Sequence, residues 1–117
     1  MAELSTLARP YAKAAFEYAL EAGDLQGWSD SLGTASSVAK QSTVDQLLSS
    51  PSSTSAEQAA ALTGICGESL NSAGKNFICI LSENRRLKLL PQIAHQFEIM
   101  KANQEKAIEV DVASAQP

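Results

Sequence analysis

The side chains that could do covalent or metal chemistry in this 117-residue chain are few: one histidine, His95, and two cysteines, Cys66 and Cys79. The cysteines lie far apart with no CxxC spacing, so with a single histidine they cannot furnish a standard zinc site. A Cys79–His95 nucleophile pair has no supporting motif around it. Gly64-Ile65-Cys66-Gly67 lacks both the spacing and the lysine of a phosphate loop. His95 projects opposite the apolar stripe of its own segment, which predicts a solvated surface residue. Arg85-Arg86 with Lys88 is a small basic cluster that could touch phosphate at the mouth of a helix-turn-helix. The acidity around it favours a solvated helix junction instead. An enzyme has almost no residues to stand on here, and no cofactor or metal is expected.

The chemistry that does stand out is docking. From Leu4 to Leu20 the chain reads LSTLARPYAKAAFEYAL. At about 100° per residue its apolar side chains sweep roughly 200° of a helix circumference. Leu4, Ala8, Ala12, Ala15, Phe16 and Ala19 fall to one side of that arc, and Leu7, Tyr11, Ala14 and Tyr18 to the other. Glu3, Arg9, Lys13 and Glu17 hold the remainder. One stripe suffices for a small domain's core, so the second either lies under another part of the same domain or awaits a partner. Two tyrosines around a small Ala14 suit a boundary that is wet in one state and dry in the other.

Composition bounds the rest. The length is that of one ordinary domain with a real core. A hydrophobic content of 44% with 19% charged residues is that of a soluble globular protein. A net charge of −4 argues against nucleic acid as the main partner. No stretch approaches the ~20 apolar residues needed to cross a bilayer. The start, MAELSTLARP, shows no basic region followed by an apolar one, so no export signal is expected. The two cysteines are then expected to be reduced, small and buried, in a reducing cytosol.

Six helical segments are predicted. Gly23 ends the first, and Asp24 caps the second, whose stripe is Leu25, Trp28, Leu32, Ala35 and Ala39. Thr43 with Gln46 makes a capping box for a short third helix holding Val44, Leu47 and Leu48, and Pro51 with its flanking serines stops it. Thr54 and Glu57 cap a fourth, lined by Ala59, Leu62, Ile65, Cys66 and Leu70. The fifth, NSAGKNFICILSEN, is apolar nearly all round. Leu70, Ala73, Phe77, Ile80 and Leu81 share the expected core side, while Ile78, Cys79 and Ser82 point elsewhere. Asn84 suits its left-handed end. The sixth opens near Leu89, with Pro91 in its first turn, and runs to about Lys106 on Leu90, Ile93, Ala94, Phe97 and Met100.

After that the pattern changes. Glu109-Val110-Asp111-Val112 alternates with period two, a strand signature, and Ala113 to Pro117 reads as loop. A lone strand has nothing to pair with. The expected organisation is a compact all-α bundle over 1–106 and a mobile tail over 107–117, the start of a further domain.

Three strings, ARPYAKAAFEYA, FICILSENRRLKLLPQIAHQF and EVDVASAQP, occur in this order along the chain. Together they resemble the delta subunit of bacterial F-type ATP synthase, the oligomycin-sensitivity-conferring protein family. The resemblance covers the whole chain and stops where the family's smaller C-terminal region begins. It implies a bundle of six helices that caps the catalytic head. The groove between its first and fifth helices takes the amphipathic N-terminal helix of an alpha subunit. By position the groove would be lined by Leu7, Tyr11, Ala14 and Tyr18 with Ile78, Cys79 and Ser82. The role implied is a non-catalytic clamp on the cytoplasmic face of the inner membrane, in a peripheral complex. The b subunit of the peripheral stalk would be engaged mainly through the missing C-terminal region. The competing reading is a stand-alone helical regulatory domain that binds RNA or a signalling protein.

Overall fold

The computed structural model describes residues 2–114, with side chains for 4–67 and 69–106. Six α-helices follow one another: α1 (Ala2–Ala22), α2 (Leu25–Lys40), α3 (Ser42–Ser49), α4 (Ser55–Cys66), α5 (Ser72–Glu83) and α6 (Leu90–Ser114). Short 3-10 turns occupy Gly67–Ser69 and Leu87–Leu89. No strand occurs among the described residues. The bundle is all-α.

α6 is the central rod, against which both α1 and α2 lie, while α4 and α5 pair beside them. The buried side chains of α1 among the described residues are all alanines: Ala8, Ala12, Ala15 and Ala19 are at most 2% exposed, with Tyr11 and Phe16 packed partly buried beside them. The 4-3-4 spacing of the alanines keeps them on one face, and methyl groups let helix axes come close. Larger residues fill the centre from the other helices, with Trp28 and Leu32 from α2, Leu62 from α4, and Leu90, Ile93 and Phe97 from α6. Phe16 meets Phe97 edge-on with centroids 5.8 Å apart, and Trp28 meets Phe77 likewise at 5.6 Å. Such T-shaped pairs add to burial because a positive ring edge faces a negative ring face.

The helix ends explain the connections. Gly23 adopts φ +66°, and its N–H donates to the Leu20 carbonyl while Asp24 N–H donates to Ala19, a Schellman closure of α1. Asp24 then accepts from Gly27 N–H at 3.1 Å, capping α2. A Cβ on Gly27 would sit 2.3 Å from that carboxylate, so the cap and the glycine belong together. Thr54 and Glu57 form the reciprocal box at α4, with hydrogen bonds of 2.8 and 3.1 Å.

Several expectations are corrected. α3 begins at Ser42 after Gln41, so Thr43 lies inside the helix and makes no cap. α4 stops at Cys66 because Gly67 turns to φ +57°; Leu70 is buried beyond its end, whereas Ile65 faces solvent. The left-handed residue after α5 is Arg85 (φ 58°) rather than Asn84. Arg85 N–H donates to the Ser82 carbonyl and Arg86 N–H to Leu81, again a Schellman closure. The side chain explains the choice: the Arg85 guanidinium donates to the Ser53 carbonyl at 2.9 Å across the α3–α4 loop. Leu4 is exposed rather than core. Residues 109–112 are helical, not extended. A strand leaves its backbone groups unpaired without a neighbour, whereas a helix satisfies them internally. The loop expected from Ala113 is helical to Ser114, and its remainder lies outside the described residues.

Candidate functional site

α1 is longer than its core face needs, and its second stripe stays uncovered. Leu7 is 43% and Tyr18 53% exposed, and Ala14 between them is also open. α5 runs alongside in the opposite direction, and between the two helices lies an apolar trough. One part, about 590 Å³, is bounded by Leu7, Pro10, Tyr11 and Ala14 on α1 and by Phe77, Ile80 and Arg86 opposite. The next part, about 220 Å³, is bounded by Ala14, Ala15 and Tyr18, by Ala73, Asn76, Phe77 and Ile80, and by Trp28 at its wall. Ala14, Phe77 and Ile80 border both parts, so the two adjoin at these residues. Ala14, the small residue common to both parts, is the place on α1 where an incoming helix could approach most closely.

All four α1 residues expected at this face are there. The three expected from α5 are not. Ile78 and Ser82 are each 1% exposed and face the core; Cys79 is exposed but does not border the trough. α5 is rolled so that Gly74, Phe77, Ile78, Leu81 and Ser82 are its buried residues. The Ser82 hydroxyl fixes that roll by donating to the Ser55 carbonyl at the start of α4. A buried hydroxyl with an acceptor is acceptable in a core, and without one it is costly. Ile80, 42% exposed, takes the place on the trough that Ile78 was expected to hold. Phe77, Ile80, Ala73, Asn76 and Arg86 are thus the residues sequence reasoning missed. The only cue was the helical offset between Phe77 and Ile80, which places both on one edge.

The remaining candidates have structural occupations. Arg85 pins the α3–α4 loop, and Lys88 donates to Ser49 Oγ at 2.8 Å and lies 3.9 Å from Asp45. The exposed pair with Asp45 contributes little by itself. Arg86, half-buried, forms one end of the trough. Cys66 is buried, and desolvation pushes its thiol pKa up; Cys79 is not buried as expected, because the roll of α5 turns it outward. His95 faces solvent on α6. Among the described residues no three of His, Cys, Asp and Glu gather as metal ligands, and no helix is long and apolar enough to cross a membrane.

The family model for the ATP synthase delta (OSCP) subunit matches residues 7–117. This chain belongs to that family. It is 55% identical over 115 residues to a protein of Teredinibacter turnerae named ATP synthase subunit delta, covering 98% of this chain and 65% of that relative. It is 49% identical over 117 residues to the protein of the same name from Thioalkalivibrio sulfidiphilus, covering 100% of this chain and 66% of that relative. The chain therefore spans about two-thirds of the length of these delta-subunit relatives. Apart from Thr6 at one end, the residues that line the trough lie within the part that the family model matches.

Proposed function

We propose that this chain is the head-capping part of a non-catalytic stator subunit of F-type ATP synthase. Its α1–α5 trough takes the amphipathic N-terminal helix of an alpha subunit. Leu7, Tyr11, Ala14 and Tyr18 form one wall in this reading, with Phe77 and Ile80 replacing Ile78, Cys79 and Ser82 on the other. In this reading residues 1–106 are the docking unit and 107–117 lead out of it, towards the region that engages the b subunit of the peripheral stalk. The complex would sit on the cytoplasmic face of the inner membrane without inserting this chain in the bilayer.

The observation that carries the reading is Leu7, Tyr18 and Ile80, each more than 40% exposed around the two adjoining parts of an apolar trough, beside a core already filled by other residues. Helix-in-groove docking uses such a surface: apolar burial gives affinity, and a small residue permits close approach. The mechanical role fits the same surface. A stator transmits torque only while it stays attached to the head, which demands slow dissociation, and burial of a dry apolar face slows dissociation more than rim charges do.

Calorimetric titration of the chain with a synthetic alpha N-terminal peptide tests the proposal. Saturable one-to-one binding that persists in high salt is expected, because apolar docking is insensitive to screening. Binding that collapses steeply with salt would mean that charge contacts rather than apolar docking hold the peptide, and no binding would remove the trough from the stator role.

A further inference from the structure

On the opposite flank of α1, where it borders α6, lies a second groove of about 790 Å³. Its apolar floor is Phe16, Leu20, Ile99 and Met100, with Leu20 40% and Ile99 48% exposed. Nothing in the α1–α5 trough accounts for it. The rim has a distinct charge pattern. Arg9 and Lys13 stand one turn apart on α1, His95 lines the α6 side, and Glu17 follows one turn beyond Lys13. Among the described residues neither Arg9 nor Lys13 has an ion-pair or hydrogen-bond partner. Two unneutralised cations at an apolar groove, in a chain of net charge −4, select for carboxylates.

We infer that the α1–α6 groove docks a second amphipathic helix, one that carries two carboxylates a turn apart beside its apolar edge and a cation one turn further on. The α1 border from Ser5 to Leu20 is about 22 Å long at 1.5 Å per residue, room for roughly four turns. At the Ser5 end the Gln96 side-chain amide donates to the Ser5 carbonyl at 2.8 Å, tying α6 to α1 and holding that end of the groove. The carboxylates pair with Arg9 and Lys13, and the cation meets Glu17. A second copy of this chain is disfavoured as occupant, because two bodies of net charge −4 repel. The inference does not rest on the α1–α5 reading.

The test uses the whole chain, isotope-labelled for amide shift mapping, and two synthetic 18-residue helical peptides with the same leucine edge. One carries the Glu, Glu, Lys pattern at four-residue spacing, and its twin has every charge reversed. The acidic peptide is expected to shift the amides of Leu20, Gln96, Ile99 and Met100 and to bind about tenfold tighter than its twin, the scale of two or three rim ion pairs. Arg9→Glu with Lys13→Glu reverses that preference, and Ile99→Asp weakens both peptides. Ala14→Asp, on the other face of α1, changes nothing. Equal binding of the twins, shifts confined to Tyr18, Phe77 and Ile80, or no shifts at millimolar peptide would each overturn the inference. So would sedimentation showing a dimer that Ile99→Asp dissociates, which would give the groove to a second copy.

Discussion

Tyr18 and Trp28 lie with ring centroids 5.5 Å apart and planes tilted by 60°, one ring on the open trough and the other 4% exposed behind it. The tyrosine is thus a contact between the docking surface and the only tryptophan in the chain. Seating a helix against Tyr18 changes the packing and hydration around the indole. Trp28 emission is therefore expected to shift saturably as the alpha peptide is added, with the same midpoint as calorimetry. Tyr18→Ala should remove most of that response. A titration in which calorimetric heat appears and emission stays flat would place the peptide elsewhere.

Ala14 borders both parts of the trough and faces solvent. Ala14→Asp puts an unpaired carboxylate into the proposed contact and is expected to weaken the alpha peptide by at least about tenfold, or ~1.4 kcal/mol. Its cost to the free domain is limited to helix propensity, up to about 0.7 kcal/mol, so the thermal midpoint should move by only a few degrees. Circular dichroism melting alongside calorimetry separates the two effects.

Ile78 and Ile80 are two residues apart and should behave as opposites. Ile78→Ala opens a cavity in the core and is expected to cost about 2–4 kcal/mol of unfolding free energy. Ile80→Ala should lie within about 0.5 kcal/mol of the parent in stability and weaken the peptide instead. Urea unfolding with peptide titration checks the pair, and the reverse pattern would mean that α5 is rolled the other way.

The two thiols should differ in the same manner. Cys79 is exposed and is expected to react quickly with an aromatic disulfide reagent, whereas Cys66 waits for local opening. Burial raises the Cys66 pKa, so its neutral form is favoured in the folded chain. The folded state then holds that proton more tightly than the unfolded state. Stability from this group is complete below the ordinary thiol range and declines as pH rises through it. Labelling followed by mass spectrometry at two alkaline pH values reads both statements.

Arg85 holds a left-handed backbone conformation that most side chains resist, while its guanidinium bonds the Ser53 carbonyl. Arg85→Ala keeps the strain and loses the bond, for an expected loss of about 1–2 kcal/mol. Arg85→Gly loses the bond but relieves the strain, so it should be the more stable of the two variants in thermal unfolding.

Much of the fold was legible because its signals are local. Asp24 before Gly27, the Thr54–Glu57 box and Gly23 each act within a few residues, and the apolar rows of α2 and α6 repeat at helical spacing. On α1 the alanines separate core from docking face even in projection. α5 resists such reading because the run Phe77 to Leu81 is apolar all round and has no preferred phase. Its roll is set by partners distant in sequence: Ser82 bonds Ser55, 27 positions away, and Trp28 meets Phe77 edge-on. Arg85 outcompeted Asn84 for the left-handed position through a bond to Ser53, 32 positions away. The period-two residues 109–112 misled for a different cause, since alternation indicates a strand only where a neighbouring strand exists.

The row Ala8, Ala12, Ala15 and Ala19 has a consequence for how the two furrows keep their shape. Alanine has no rotamers, so the seam between α1 and the bundle cannot be eased by swinging a side chain. Any thicker residue there would lever the whole helix outward and alter the width on both flanks at once. The ridge that separates the furrows is stiff because its root is made from the residues with the least to move.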